Sequence, residues 1–177
     1  MDGGVKKALT YPLSDSDIKA ILGSDTSILT YPDLENVETI DQIFDRYGRC
    51  VMLFPTMSAN EGHWCAMLKK GREIEFFDPY GEAPEDQKDG MSRSKQEQLD
   101  MDQPYLTDLF RKSGYRIYYN TYPFQKGSPN IATCGRHCVV RLLYAPYDLD
   151  QYKKAVDKSK MSPDEFVLGV TADKLRK

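Results

Sequence analysis

The chain has 177 residues and a mass of 20.3 kDa, which is the size of one domain. Hydrophobic residues make up 40% and charged residues 29%, and these proportions argue against a disordered, collagenous or repeat protein. The net charge of −3 combines an acidic segment near the N-terminus with a basic C-terminal end, which we interpret as solvated faces. No apolar run approaches the length of a membrane span, and the N-terminus lacks the pattern of a signal peptide. We therefore expect a soluble intracellular protein with reduced cysteines.

The first third of the chain predicts two short helices. Ser14 and Asp15 are candidate N-caps of a helix that closes at Gly23, because apolar residues recur at helical spacing between them. A second helix is expected over 39–46. We therefore expect residues 1–48 to form a helical extension in front of the core.

Strand patterns begin at Cys50. An apolar run that starts there predicts a buried strand ending at Pro55. Residues 63–68 and 73–78 have the pattern of two further strands, joined by a short segment that contains a glycine. These three runs predict the centre of a sheet.

The register of the predicted hairpin decides which side chains face one another. A turn centred on Lys70-Gly71 places His63 opposite Asp78, with Cys65 on the same face as part of the core. A slip by one residue would move His63 and Asp78 to opposite faces of the sheet.

The second half of the chain predicts a polar loop followed mainly by helices. Residues 81–103 carry hardly any large apolar side chain, so we expect a surface insertion or a mobile loop there. The segments that follow predict a helix over 105–112, a strand over 115–120, a helix over 135–144, a helix over 150–157 and a last helix opened by Ser162 and Pro163.

Together these elements predict one α+β domain over residues 1–177. We expect a catalytic core over 50–144, in which a small mixed β-sheet packs against a central helix that carries Cys134 at its N-terminus. Residues 145–177 are expected to add C-terminal helices.

Cys134 is the strongest candidate nucleophile. It stands at the start of the predicted central helix, where free backbone amides and the helix dipole favour a thiolate. Gly135 would let a substrate carbonyl approach the backbone closely, and the amide of Cys134 is placed to donate to an oxyanion. Gln125, shortly upstream, is a candidate side-chain donor to the same oxyanion.

The chain has only two histidines, which restricts any proposal of acid–base chemistry. A cysteine nucleophile needs a base, and the base needs an acceptor on its other ring nitrogen. His63, opposite Asp78 in the predicted hairpin, meets both needs. His137 follows Cys134 by about one helical turn, and we interpret it, on a face shared with Arg141, as exposed or facing substrate.

Four elements of the chain, taken in order, resemble the adenain and Ulp1-like cysteine proteases. They are His63-Trp64, the run Asp78-Pro79-Tyr80-Gly81, Gln125, and Cys134-Gly135 at a helix start. The stretch over 124–135 is also similar to the adenovirus protease motif in its Gln, Ser-Pro-Asn and Ala-x-Cys-Gly elements. The resemblance covers residues 51–143 and points towards the maturation proteases of large DNA viruses and their virophages.

The resemblance implies a role for each of these residues. Cys134 is the nucleophile, His63 its base and Asp78 the orienter of that base. Gln125 is the oxyanion donor, and Trp64 packs beside the site. It also implies a papain-like or adenain-like cysteine proteinase fold that needs no metal or organic cofactor.

The resemblance further implies what the protein acts on. The expected substrates are capsid or other structural precursor proteins of a virus, cleaved near glycine or small residues during virion maturation. A DNA or peptide activator is an implied partner, and we expect a monomer without a membrane partner, located in the virion or the host-cell cytoplasm. Nine positions separate Gln125 from Cys134, and this spacing makes Asn130 a second candidate oxyanion donor.

Three alternative functions use the same residues. One is a protease that acts on a ubiquitin-like protein. Another is an acyltransferase with the same order of His, acid and Cys, which would pass the acyl group of a thioester to a protein hydroxyl or amine and would require an acyl-CoA donor. The third is a binding module with a structural zinc, held by Cys134, His137 and Cys138 together with Cys50, Cys65 or His63.

Overall fold

The computed structural model describes residues 3–128 and 130–175. Residues 1, 2, 129, 176 and 177 lie outside the described residues. They include the first residues of the N-terminus, where we expected no signal peptide, and the proline of the Ser-Pro-Asn element. Within the described ranges, no helix combines the length and the apolar character needed to cross a bilayer.

The described residues form seven α-helices and five strands, linked in places by 3₁₀ turns. This mixture confirms the predicted α+β class. In chain order the elements are α1 Gly3–Thr10, α2 Asp15–Leu22, β1 Ile28–Thr30, β2 Arg49–Ser58, β3 Glu61–Lys70, β4 Glu73–Phe77, α3 Arg93–Gln98, α4 Tyr105–Ser113, β5 Arg116–Tyr119, α5 Cys134–Leu143, α6 Leu149–Lys158 and α7 Pro163–Ala172.

Local capping explains two of the predicted helix starts. The N–H of Asp17 donates to the Ser14 hydroxyl at 3.2 Å, and the Asp17 carboxylate accepts from the Ser14 N–H at 3.0 Å. At α7 the Ser162 hydroxyl accepts from the N–H of Glu165, and Pro163 occupies the first turn. Both helix starts are therefore confirmed.

The strands form one mixed sheet in the order β1-β2-β3-β4-β5. β1 and β5 run parallel to their neighbours, whereas β2, β3 and β4 are antiparallel to one another. Our expectation that β2 ends at Pro55 is wrong, because the strand continues to Ser58. The missing N–H of Pro55 is tolerated because β1 pairs only with residues 51–53 and the ladder to β3 becomes irregular after Phe54.

The β3–β4 hairpin differs from the predicted register. Lys70 pairs with Glu73, so the turn is Gly71-Arg72, one position later than predicted. Gly71 has a φ of 56°, which the first central position of a tight hairpin turn can require. Each residue of β3 therefore pairs with a residue of β4 two positions further along the chain than predicted. Side chains keep their predicted faces, but His63 is no longer directly opposite Asp78.

Two hydrophobic clusters cover the two faces of the sheet. The first joins the sheet to α2, α5, α6 and α7, and the second joins it to α4 and the 3₁₀ turns. Within the first cluster α5 is the central helix, as predicted. Its Arg141 is fully buried and donates from Nε and Nη2 to Glu75 of β4, each at 2.8 Å, so the helix face that Arg141 shares with His137 is not exposed at this position.

The N-terminal segment is more than the helical extension that we expected. It contributes β1 to the sheet, whereas the helix expected over 39–46 is only a 3₁₀ turn, Ile40–Ile43. Leu13 and Ile18 are buried in the cluster around α5, and Tyr31 is buried in the opposite cluster. The segment is therefore part of both cores.

The polar segment over 81–103 is a surface insertion that is anchored to the domain at two buried positions, Lys88 and Met101, rather than a mobile loop. Met101 is fully buried. The Nζ of Lys88 donates to the Tyr31 hydroxyl at 3.0 Å and to the Gln103 carbonyl at 2.9 Å. The composition of the segment did not predict this packing, because a few separate side chains hold the segment and no repeating apolar pattern does.

Candidate active site

The site forms where β4 ends, one residue before Asp78. The last pair between β3 and β4 is Ala66 with Phe77, so residues 61–65 of β3 have no partner on that side. Across this edge, Nε2 of His63 lies 2.7 Å from Oδ1 of Asp78, and both side chains are buried. The structure thus brings the predicted pair together through a diagonal contact past the end of the ladder.

Asp78 is held in place by polar groups that the sequence did not single out. Its Oδ1 accepts from the N–H of Tyr80 at 2.8 Å, and its Oδ2 accepts from Nε2 of Gln87 at 2.9 Å. Asn120 binds the Asp78 backbone twice, donating to the carbonyl at 2.7 Å and accepting from the N–H at 3.1 Å. The Tyr80 ring stacks on His63 with 4.6 Å between centroids. These contacts fix both members of the pair. Of the residues that make them, only Tyr80 was named from the sequence, as part of the run over 78–81.

Cys134, the first residue of α5, completes the arrangement. Its thiol lies close enough to His63 and to the backbone N–H groups of Trp64 and Gly135 for each of them to lower its pKa. Since Nε2 of His63 faces Asp78, Nδ1 is the ring nitrogen left for the thiol. The start of α5 has no side-chain cap hydrogen bond, so its first amides are available to the sulfur.

The electrostatics of the site favour a thiolate and an imidazolium. Burial alone would raise the pKa of Cys134, but the hydrogen bond and charge of His63 and the two backbone amides lower it below its ordinary value. Burial alone would lower the pKa of His63, but its bonds to Asp78 and Cys134 raise it to about 9. Both shifts favour the thiolate–imidazolium pair over the neutral thiol and imidazole. By contrast, burial raises the pKa of Cys65 and that of Cys138 well above the ordinary thiol value.

A cleft of about 650 Å³ opens beside Cys134, whose side chain is otherwise largely covered. Leu13 and Trp64 form the wall next to the sulfur, and Nε1 of Trp64 donates to the Leu13 carbonyl at 3.1 Å. A Cβ on Gly135 would lie 3.0 Å from Cβ of Leu13 and 3.2 Å from Cδ1 of Trp64. Residues 28–30 and the turn between β2 and β3 form the far walls. A substrate chain can reach Cys134 through this cleft, and the contacts of Gly135 with Leu13 and Trp64 leave little room for a side chain at position 135.

The two candidate oxyanion donors differ in their placement. Gln125 is buried, and its backbone N–H donates to the Pro79 carbonyl at 2.9 Å. Its Nε2 lies 3.4 Å from the hydroxyl of Tyr80, the residue that stacks on His63. Asn130 is exposed. Gln125 is therefore the candidate that lies beside Tyr80, and its Nε2 also lies 3.3 Å from the Ile131 carbonyl.

Three groups able to bind a metal meet beside the nucleophile. A ring nitrogen of His63, the sulfur of Cys65 and a carboxylate oxygen of Asp78 lie within 4.8 Å of one another. Both oxygens of Asp78 are already used in hydrogen bonds, as described above. In the searched part of the chain, residues 3–128 and 130–175, the C-x-x-H-C motif of the zinc alternative contributes no such group.

His137 is fully buried, so the prediction that it is exposed or faces substrate is wrong. Helix α7 covers this side of α5, and Nε2 of His137 lies 2.9 Å from Oδ1 of Asp164. Burial lowers the pKa of His137, and the opposing effect of Asp164 is smaller. His137 is therefore a neutral imidazole at physiological pH.

Comparison with known proteins places the chain in a viral family. No protein-family model matches it. Protein V9 of Sputnik virophage, itself uncharacterized, is 40% identical over 164 residues, which span 90% of this chain and 93% of V9. The chain belongs to the V9 family.

Two solved structures resemble this V9-family chain in outline. SUMO protease Ulp1, with its catalytic cysteine oxidized to a sulfinic acid, is 18% identical, covers 99% of this chain and 88% of its own, and has a TM-score of 0.41. The central domain of the uncharacterized Lpg1148 protein from Legionella pneumophila is 13% identical, with coverages of 94% and 99% and a TM-score of 0.44. Likenesses at this level carry no argument about activity.

Proposed function

We propose that this V9-family protein is a cysteine peptidase with Cys134 as its nucleophile. The observation that carries the proposal is the continuous contact from Asp78 through His63 to Cys134, at the start of α5 and beside a cleft. A nucleophile, a base and an orienting carboxylate within hydrogen-bond reach are the minimum that thiol acyl transfer requires.

Each residue then has a defined step. The Cys134 thiolate attacks the substrate carbonyl carbon, and the Cys134 amide and Gln125 donate to the oxyanion. His63 gives the proton on Nδ1 to the leaving amine as the C–N bond breaks and a thioester forms. A water molecule then attacks the thioester, His63 accepts its proton, and the Cys134 sulfur leaves. Asp78 keeps Nε2 protonated throughout.

We propose viral structural precursors as the substrates, cleaved next to glycine or another small residue. The virophage relative V9 supports a viral role. The expectation of a small residue at the scissile bond comes from the resemblance to the adenain and Ulp1-like proteases, and glycine would suit a narrow cleft because it lets the backbone pass where a side chain would block it.

The test is a comparison of new N-termini in a mixture of virion precursor proteins, with and without added DNA. Wild type should generate termini that Cys134→Ala does not, and the buried Cys138→Ala is the matched control that should cut at the same sites. Termini confined to precursors after glycine or small residues would support the proposed substrates. Termini that persist with Cys134→Ala would remove the assignment of the nucleophile.

Two further reagents separate the alternatives in the same experiment. A ubiquitin-like fusion that is cleaved while the precursors stay intact would move the substrate to that class. Acylation of a protein from acyl-CoA, without new termini, would show that the same thioester is used for transfer.

A further inference from the structure

Helix α7 places a second carboxylate behind the nucleophile. Asp164 lies in the first turn of α7 and is 5% exposed. Its Oδ1 accepts from the Thr133 hydroxyl at 2.6 Å and lies 2.9 Å from Nε2 of His137, while its Oδ2 accepts from the Lys126 N–H at 3.1 Å. Burial alone would raise the pKa of Asp164, but the hydrogen bonds from His137 and Thr133 lower it below its ordinary value. The buried carboxylate is thus charged and fully partnered.

The three donors to Asp164 flank the groups that act in the proposed mechanism. Thr133 directly precedes Cys134, and His137 follows it by about one turn of α5. Lys126 directly follows Gln125. One carboxylate therefore ties the start of α5 to the segment that carries the oxyanion donor.

The bond to Thr133 also determines how α5 begins. Thr133 is the N-cap residue of this helix, and an N-cap threonine ordinarily accepts from an amide of the first turn. Here its hydroxyl donates to Asp164, and no side-chain cap hydrogen bond forms. The amides beside Cys134 consequently remain free to bind a thiolate or an oxyanion.

We propose that Asp164 is a positioning residue for the reaction at Cys134. By binding Thr133, His137 and Lys126 it sets the nucleophile and the oxyanion donors relative to one another. His137 acts as a neutral donor to Asp164 and not as a second base. This inference rests on the proposed peptidase function.

A second buried contact between α5 and α7 provides a matched control. Nη1 of Arg136 donates to the Thr171 hydroxyl at 2.6 Å. Thr171→Val removes a hydroxyl between the same two helices but does not touch Thr133 or Asp164. A role of Asp164 confined to stability would make the two substitutions equivalent.

The experiment measures kcat and KM on a peptide that the wild type cleaves, at a temperature where circular dichroism shows every variant folded. We expect Asp164→Asn and Thr133→Val to lower kcat about 10- to 100-fold with KM within about twofold, because small misplacements cost more in the transition state than in binding. Thr133→Ser, which keeps the hydroxyl, and Thr171→Val should stay near wild type.

The contrary results are equally specific. Unchanged kcat in Asp164→Asn and Thr133→Val would overturn the positioning role, and so would an equal loss in Thr171→Val. Should Asp164→Asn not fold, the contrast between Thr133→Val and Thr133→Ser decides the question alone.

Alkylation of Cys134 by iodoacetamide at pH 6 separates this inference from the proposed function. A wild type that labels rapidly but cleaves no peptide would contradict the peptidase. In that case a roughly tenfold slower labelling of Asp164→Asn would still support the positioning role, because thiolate formation depends on the placement of Cys134 beside His63. Unchanged labelling would overturn it.

Discussion

Two buried His–Asp pairs lie in this domain, and they differ in charge. Nε2 of His63 is 2.7 Å from Asp78, and Nε2 of His137 is 2.9 Å from Asp164. Burial favours the neutral imidazole in both pairs. Nevertheless the pKa of His63 is raised to about 9, because bonds to Asp78 and Cys134 outweigh burial, whereas burial prevails at His137 and lowers its pKa.

The difference lies in what the second ring nitrogen meets. The free nitrogen of His63 faces Cys134, whose thiolate stabilises the imidazolium. Nδ1 of His137 has no hydrogen-bond partner in residues 3–128 and 130–175. The same pair of side chains is therefore a charged base in one place and a neutral donor in the other, and a third group decides which.

The largest expected effect comes from removing the carboxylate of Asp78. Asp78→Ala takes away the acceptor from Nε2 of His63 and the negative charge beside the ring, so the imidazole loses both its orientation and its tautomer. We expect kcat to fall about 10⁴-fold. Asp164→Asn should lower kcat far less, by about 10- to 100-fold. Equal losses in steady-state kinetics of the two variants would remove the distinction between the pairs.

The next effect concerns the oxyanion. Gln125→Ala should lower kcat about 10²- to 10³-fold, because it removes a donor that binds charge formed only in the transition state. The matched control is Asn130→Ala, the exposed alternative, which should leave kcat unchanged. A larger loss in Asn130→Ala than in Gln125→Ala would exchange their roles.

The smallest expected effect is a change in the pKa of a histidine, which an NMR titration of His63 and His137 measures. In the wild type, we expect His63 to titrate with a pKa of about 9 and His137 to titrate below its ordinary value. Cys134→Ala should lower the pKa of His63, because the thiolate is gone, and should leave His137 unaffected. A wild-type His63 that titrates below its ordinary value of about 6.5 would contradict the charged pair.

Local signals in the sequence predict the scaffold well. The N-caps Ser14 and Ser162 and the helix start at Cys134 depend on short-range chemistry, and the structure has helices there. The pairing of polar residues is not local. In the sequence, His137 and Arg141 lie on one polar face of the predicted central helix. Only the placement of α7 and β4 around α5 buries them.

The residues of the candidate site also differ in how well the sequence predicted them. The residues to which we assign the chemistry, such as His63 and Cys134, were proposed from their types and order. The groups that hold them, such as Gln87 and Asn120, come from a polar segment and a strand end, where nothing in the sequence distinguishes them from ordinary surface residues. The hairpin register was also not predicted correctly. A glycine such as Gly71 fits either central position of a two-residue turn, so the sequence does not say which position it takes.

The most direct test of the account is site-resolved alkylation of the native protein by iodoacetamide at pH 6, with labelled cysteines identified by mass spectrometry. Cys134 should react, whereas the other buried thiols, Cys50, Cys65 and Cys138, should not, because burial raises the pKa of each. His63→Ala should slow the reaction of Cys134 roughly 10²-fold, as its pKa returns to the ordinary range or above. Labelling of Cys134 no faster than of Cys138, or at the same rate with and without His63, would contradict the thiolate–imidazolium pair at the centre of the proposed function.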